Sequence, residues 1–281
     1  MIITGINELK LKIKELKKKN KTIGFVPTMG YLHKGHISLV EASKKENDIT
    51  IISIFVNPVQ FGPGEDYSSY PRDIRKDSEL AFEAGVDFIF APDVVHMYPN
   101  GYNTYIDVHE VTDVLCGKSR PGHFRGVATV VAKLFNIVEP DRAYFGQKDA
   151  QQVVVIKRMV QDLNMNVNII TCPIVREQDG LAMSSRNTYL SPDERKAATI
   201  ISKSLFSANA LIEKGERSTK TITDFIKGEI KKEKLAIIDY VEIYDAENLK
   251  SVDTIDCKAL IAAAVKIGNT RLIDNIIVEV K

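Results

Sequence analysis

The chain has 281 residues, 44% of them hydrophobic and 27% charged, and its formal net charge is +1 at pH 7. That length accommodates two domains, and the balance is ordinary for a globular protein with a sizeable core. The near-neutral charge provides no basic field to recruit nucleic acid. No run reaches the roughly 20 apolar residues that a membrane span requires.

Met1 to Gly5 carries no signal-peptide core and leads straight into a lysine-rich run. Across residues 8–20, Leu9, Leu11, Ile13 and Leu16 recur among lysines, which predicts a surface helix with one apolar stripe. Residues 22–26 predict a strand, and a helix is expected from Ile37 to about Glu46. The β-branched run from Asp48 to Val56 predicts a central strand covered on both faces. A loop with Asn57-Pro58 and Gly62-Pro63-Gly64 follows. A helix is expected over 73–84 with Gly85 ending it, then a strand over 86–90. After a polar, glycine-rich stretch come a helix over 126–138, a strand over 141–145, a helix over 149–163 and a strand over 167–171.

This alternation implies a parallel sheet with helices on both faces, the doubly wound α/β class. In such sheets ligands bind beyond the carboxyl ends of the strands. The pattern changes near Asn187. Ser191-Pro192-Asp193-Glu194 reads as a helix start and opens one long helix. A second helix over 218–233 and strands over 237–244, 259–265 and 271–280 follow. The expectation is a domain over 1–186 and a smaller α+β domain over 187–281. Cys116, Cys172 and Cys257 are far apart and in no metal spacing. They read as buried structural thiols in a reduced, cytoplasmic setting.

Four segments carry chemistry. In Met29-Gly30-Tyr31-Leu32-His33-Lys34-Gly35-His36, two histidines three residues apart stand where a strand turns into a helix. Helix N–H groups and the dipole favour an anion there, and histidines add donors for charge that builds up during phosphoryl chemistry. This HxGH pattern occurs in enzymes that attack the α-phosphate of a nucleotide; the bland alternative is a structural pair. Met183-Ser184-Ser185-Arg186 offers short and long donors to a polyphosphate, and alone would read as an exposed loop. Gly146-Gln147-Lys148-Asp149 again joins a strand to a helix. Lys148 is a point charge for phosphate, Asp149 either caps or accepts from a ribose hydroxyl, and Gln152 lies three residues further on. Asn57 and Gln60, at another strand end, are neutral amides suited to a small polar substrate, though Asn57 reads equally as a turn former.

FVNPVQFG (55–62), YPRD (70–73), RPGHFRGV (120–127), KLFNIVEPDRAYFGQKDAQQ (133–152), IVREQDGLAMSSRN (174–187) and RLIDN (271–275) together resemble the pantoate–β-alanine ligase family. The resemblance runs from the N-terminal helix to Asn275. It implies a Rossmann-like domain with a smaller C-terminal lid, a homodimer, and amide formation from pantoate and β-alanine through an acyl adenylate. ATP is the implied co-substrate, with Mg²⁺ held mainly through its phosphates and an acid such as Asp77 at most assisting. Carried over by motif, Met29 to His36, Gly146 to Asp149, Val175 and Met183 to Arg186 hold ATP. His33, His36, Lys148 and Arg186 act on the phosphates, His36 being the family's proton donor. Gln60 and Gln152 hold pantoate, with Gln60 also near β-alanine. Lys34 and Gln147 depart from the aspartate and glutamate common at those places. Two other readings share parts of the pattern: a nucleotidyltransferase acting on another small substrate, and a non-catalytic adenine-nucleotide-binding regulator.

Overall fold

The structure is a computed structural model that describes residues 1–280. By its internal contacts the chain divides into two compact units. The first comprises Met1–His109, Arg120–Gly146 and Val155–Pro173. The second comprises Glu110–Ser119, Gln147–Val154 and the residues from Ile174 on.

The first unit is built on six parallel strands: β1 (Ile2–Ile3), β2 (Ile23–Thr28), β3 (Ile49–Ile54), β4 (Phe88–Phe90), β5 (Arg142–Gly146) and β6 (Asn168–Cys172). Their order is β1-β4-β3-β2-β5-β6, so the chain starts at one edge, steps inward to β2, winds back through β3 to β4 beside β1, and then crosses to β5 and β6 at the other edge. Between them run α1 (Ile6–Lys18), α2 (Lys34–Glu46), α3 (Ile74–Glu83), α4 (Val94–Met97), α5 (Leu115–Ser119), α6 (His123–Val138) and α7 (Ala150–Asp162). α5 and the first residues of α7 belong to the second unit.

The alternation of the strands decides the layering. Val26, Ile52 and Ile89 stand side by side in register and pack with Leu39 and Val40 of α2 and Ala81 of α3. Phe25 is one residue away and points to the opposite face. There it meets Phe135 of α6 edge-on, with ring centroids 6.4 Å apart. Helices therefore cover both faces, as the doubly wound pattern requires.

The second unit holds an antiparallel sheet of β7 (Ala236–Asp245), β8 (Ala259–Ile267) and β9 (Thr270–Val278). It also holds α8 (Pro192–Ala197), α9 (Thr199–Glu213) and α10 (Thr219–Ile230). One apolar core joins Ala198, Ile201, Leu205 and Ile212 to Ile222, Ile226 and Ile230, and to Ile261, Ala263 and Val265 of the middle strand. The single long helix expected after Ser191 is two helices divided at Ala198. At the break Thr199 Oγ1 donates to the Lys196 carbonyl at 2.8 Å, a side-chain bond that competes with the helix ladder. Three short elements fall outside the expectations: β1, α4 and α5. By contacts the second unit is larger than the 187–281 segment whose pattern stands out, because it takes in Leu181 and the residues around it.

Candidate active site

In the first unit, the turn between β2 and α2 is shaped by two successive left-handed residues, Gly30 (φ +84°) and Tyr31 (φ +53°). Thr28 Oγ1 anchors its entry, accepting from Gly30 N–H at 3.1 Å and donating to the Ser53 carbonyl at 2.7 Å. His33 is the N-cap of α2. Its Nδ1 accepts the Gly35 N–H at 3.1 Å, and Nδ1 of His36 accepts the His33 N–H at 3.3 Å. This is a capping box made of two imidazoles in place of a hydroxyl and a carboxylate. Its chemical consequence is a fixed tautomer. A neutral imidazole whose Nδ1 accepts carries its proton on Nε2. The two rings lie 4.1 Å apart, so the start of α2 presents paired Nε2–H donors beside its own positive dipole end.

Asp77 of α3 is only 2% exposed. Its two oxygens accept from Tyr31 N–H and Leu32 N–H, each at 2.7 Å. Burial pushes its carboxyl above the usual range, opposed by those two N–H bonds. Each oxygen of the acid expected at most to assist a metal is thus already engaged by one backbone N–H. Among the described residues no group of three or more His, Cys, Asp or Glu side chains is placed to hold a metal ion.

Gln60 ends a 3-10 turn, Pro58–Gln60, that Asn57 caps through its side chain. Asn57 is 1% exposed and bonded on every side. Its Oδ1 accepts from Tyr98 Oη at 2.8 Å, and its Nδ2 donates to Gly126 O and to Gln60 Oε1, each at 3.1 Å. Asn57 is thus the turn former of the two amides, and it orients the other. Gln60 Nε2 in turn lies 3.0 Å from Met29 Sδ, which ties the amide to the start of the histidine turn. The backbone of Gln60 is held as well. His123 Nε2 faces Arg120 Nη1 at 3.0 Å, and a guanidinium only donates, so His123 Nδ1–H donates to the Gln60 carbonyl at 2.8 Å. Arg120 also grips Glu65 through two bonds, of 2.7 and 2.6 Å. Desolvation works to raise the Glu65 carboxyl, but the bond and charge of Arg120 outweigh it and hold it below the usual range.

The second unit carries Lys148. Gln147–Asp149 forms a 3-10 turn before α7, and Lys148 Nζ sits 3.8 Å from Asp149 Oδ1. Asn275 of β9, 3% exposed, donates through Nδ2 to the carbonyls of Gln147 and Lys148, each at 2.9 Å. Its neighbour Asp274 holds Arg176 through two bonds, of 2.6 and 3.0 Å. Arg176 starts a loop closed by its bridge to Ala182, and the Val175 carbonyl accepts Met183 N–H at 3.0 Å. Ser184 then caps the 3-10 turn Ser185–Tyr189 by accepting Arg186 N–H at 3.3 Å. Lys148 and Ser184 line one small cavity together with Asn187 and Asp274. Gln152 is half-buried on α7, whereas its neighbour Gln151 is 6% exposed and donates to the carbonyls of Val111 and Val114. Gly146 ends β5 in the first unit, with open space where a side chain would stand.

The structure therefore brings Met29, the His33–His36 turn and Gln60 together in the first unit. In the second it brings Lys148 and Ser184 onto one cavity and sets Arg186 directly after that serine. Asp77, His123, Asp274 and Asn275 are the supporting groups for which the sequence reading had no such role. The signal for the last two was present in RLIDN, an acid and an amide interrupting an apolar strand.

Comparison with known proteins agrees along the chain. The family model described as pantoate-beta-alanine ligase matches residues 1–277. A protein of Acetivibrio thermocellus named pantothenate synthetase is 64% identical over 279 residues, 99% of each chain. A namesake from Caldicellulosiruptor saccharolyticus is 60% identical over 281 residues and the full length of both. The crystal structure of pantothenate synthetase from Thermus thermophilus superposes with a TM-score of 0.93 at 43% identity, covering 98% of each chain. A pantoate-beta-alanine ligase from Francisella tularensis, described as complexed with beta-gamma ATP and beta-alanine, gives 0.80 at 37% identity over 98% of this chain and 97% of that one. The chain belongs to the pantoate–β-alanine ligase family.

Proposed function

We propose that the protein condenses pantoate with β-alanine in two steps, using ATP. In the first, a pantoate carboxylate oxygen attacks the α-phosphorus of ATP. The bond to the bridging oxygen breaks, and pyrophosphate leaves with that electron pair. In the second, the amine of β-alanine attacks the acyl carbon of pantoyl adenylate. The acyl–oxygen bond breaks, AMP leaves, and the amine loses a proton as the amide of pantothenate forms. Neither step needs a covalent protein nucleophile. Proximity and charge stabilisation are the terms the protein must supply.

The observation that carries this reading is the double-imidazole cap of α2. Both Nδ1 atoms accept backbone N–H groups, so both Nε2 atoms are donors in the neutral rings. They meet the negative charge that grows on the phosphates as pyrophosphate departs, without having to reorganise when it does. In this scheme His36 donates a hydrogen bond through Nε2–H, with His33 beside it. Lys148, Ser184, Ser185 and Arg186 serve the phosphates. Met29 to Lys34, Gly146, Gln147, Asp149, Val175 and Met183 contribute to ATP binding. Gln60 and Gln152 hold pantoate. As neutral amides they neither repel its carboxylate nor stabilise it so far that its attack is blunted. The metal arrives on the phosphates of ATP as part of the co-substrate. Beta-gamma ATP and beta-alanine are the molecules named for the Francisella complex, which supports both assignments.

We also infer a homodimer held through the nucleotide-binding domain over 1–186 rather than the lid, on the strength of the family resemblance; sedimentation of the full chain as a monomer would overturn it. A reduced, cytoplasmic setting is in keeping with the free thiols of Cys116, Cys172 and Cys257. The reaction itself is tested by following AMP release with ATP, pantoate and β-alanine, omitting each in turn. AMP that requires all three supports the ligase. Pyrophosphate release without AMP makes the protein a nucleotidyltransferase instead, and no turnover makes it a binding protein.

A further inference from the structure

The acid buried behind the histidine turn has no part in the two steps above, and it is expensive to keep there. Asp77 is 2% exposed, and its helix is already capped by the Asp73 side chain, which accepts Lys76 N–H at 3.0 Å. The fold of α3 therefore does not require a carboxylate at 77. What answers to it is the turn. Two successive N–H groups in a left-handed stretch form a concave nest for an anion. Here those groups are Tyr31 N–H and Leu32 N–H, and the anion that fills the nest is the Asp77 carboxylate, one oxygen to each at 2.7 Å. The fit is close enough to restrict its neighbour. A Cβ on Gly30 would stand 2.8 Å from Asp77 Oδ2 and 3.0 Å from Ile54 Cγ2.

The turn needs this hold. Tyr31 has φ +53°, a conformation that a residue with a Cβ adopts only against its own sterics. The next two peptide units lead into His33, whose N–H and Nδ1 form the capping box with His36 and Gly35. A shift of the Tyr31–Leu32 peptides moves the His33 N–H, and with it the hydrogen bond that sets the His36 ring. We propose that Asp77 is a positioning residue that locks the left-handed turn and thereby aims the Nε2–H groups of His33 and His36, and that it is not a metal ligand. The proposal rests on the functional reading above and deepens it. It also accounts for the residue type. In this arrangement of one oxygen to each donor, an asparagine would present an NH₂ group to one of the two N–H groups, whereas a carboxylate accepts from both.

The test uses full-length protein with Asp77→Asn alone, Tyr31→Gly alone and the two together. AMP release is followed with ATP, pantoate and β-alanine. Amide exchange is followed at Tyr31 and Leu32, and the ¹⁵N signals of the two imidazoles report their tautomers. Asp77→Asn is expected to lower kcat on the order of a hundredfold, the usual effect of a small misplacement of catalytic groups. The KM for β-alanine should stay near its wild-type value. Exchange at Tyr31 and Leu32 should quicken while Phe25 and Val26 in β2 keep their protection. Part of the loss should be recovered in the Tyr31→Gly background, because glycine holds a positive φ without support. Native kcat with native exchange would overturn the proposal. So would a kcat loss that comes with exchange throughout β2 and no rescue, which marks a merely structural residue. A raised magnesium requirement with native exchange would make Asp77 a metal ligand instead. If the wild-type protein releases no AMP, the functional reading fails on its own, and the exchange and ¹⁵N measurements still decide what Asp77 does to the turn.

Discussion

A neutral imidazole has one proton, and here the backbone decides where it sits. Because Nδ1 of His36 is occupied by the His33 N–H, the ring acts through Nε2. His36→Ala is expected to lower turnover by roughly a hundred- to a thousandfold, the usual consequence of losing one preorganised donor, with little change in ATP binding by calorimetry. A near-normal rate of adenylate formation would exclude the role. The two glutamines should separate differently. Removing a partner from a buried polar group costs about 1–3 kcal/mol, so Gln60→Ala and Gln152→Ala should each weaken pantoate use roughly five- to over a hundredfold. ATP affinity should hold. If ATP weakens as much as pantoate, these amides shape the whole pocket and do not select the acid. The histidine pair was legible in the sequence because a capping box closes over three residues. The partners of Asp77 and Asn275 were not, because each residue reaches its backbone partners across a long stretch of chain, 45 residues or more for Asp77 and 127 or more for Asn275. No local pattern records a hydrogen bond of that kind.

Between elements, the tightest approach on which the site depends is α6 against the 3-10 turn. A Cβ on Gly126 would lie 2.6 Å from the N and Cα of Gln60 and from the Val59 carbonyl carbon. All three are backbone atoms, which cannot swing aside. Gly126→Ala gains about 1 kcal/mol of helix propensity. The overpacking costs about 1–3 kcal/mol and displaces the residue proposed to hold pantoate. The expected result is a lowered melting temperature together with a raised KM for pantoate; a variant that is more stable and fully active would show that α6 can retreat. At the base of the sheet, Asp48 accepts from Thr22 N–H, Thr22 Oγ1 and Lys21 Nζ, which lowers its pKa to about 2 from an ordinary 3.8. A depressed carboxylate stabilises the fold above its ordinary pKa and loses that contribution as pH falls through its folded value. Asp48→Asn should therefore flatten the acid limb of melting temperature against pH between 3.8 and about 2, and an unchanged limb would remove Asp48 from it. Elements of this size were readable from apolar periodicity, as α1, β3 and α6 illustrate. β1, with two residues, and α4, with four, are too short to show a period. The break at Ala198 escaped because Thr199 acts through its hydroxyl and leaves the apolar pattern intact.

At the scale of the molecule, the sequence announces a change of pattern at Asn187, but the second unit is assembled from three stretches of chain. Two of them are short insertions whose partners lie far along. Ser119 Oγ donates to Asp239 Oδ1 at 3.2 Å, and Cys116 Sγ lies 3.2 Å from Tyr240 Oη. The carbonyls of Gln147 and Lys148 are held by Asn275, and Arg176 by Asp274. Leu181 is buried in the same apolar core as α9 and β8. A composition break cannot reveal such dependence, because it reports where the character of the chain changes and not which segments bury one another. The consequence is specific. A fragment ending at Arg186 keeps every residue proposed to touch a phosphate, yet it strips these partners from the 110–119 insertion and from the segments that carry Lys148 and Ser184. It leaves Arg176 without its carboxylate. Taking one partner from a buried ion pair alone costs about 3–5 kcal/mol, a large share of the 5–15 kcal/mol that holds a typical protein folded. The fragment 1–186 is therefore expected to aggregate or to melt without a cooperative transition, as read by circular dichroism and sedimentation, and to lose ATP binding. A monodisperse fragment that melts cooperatively and binds ATP with native affinity would show that the turns proposed to bind phosphate fold without the antiparallel sheet.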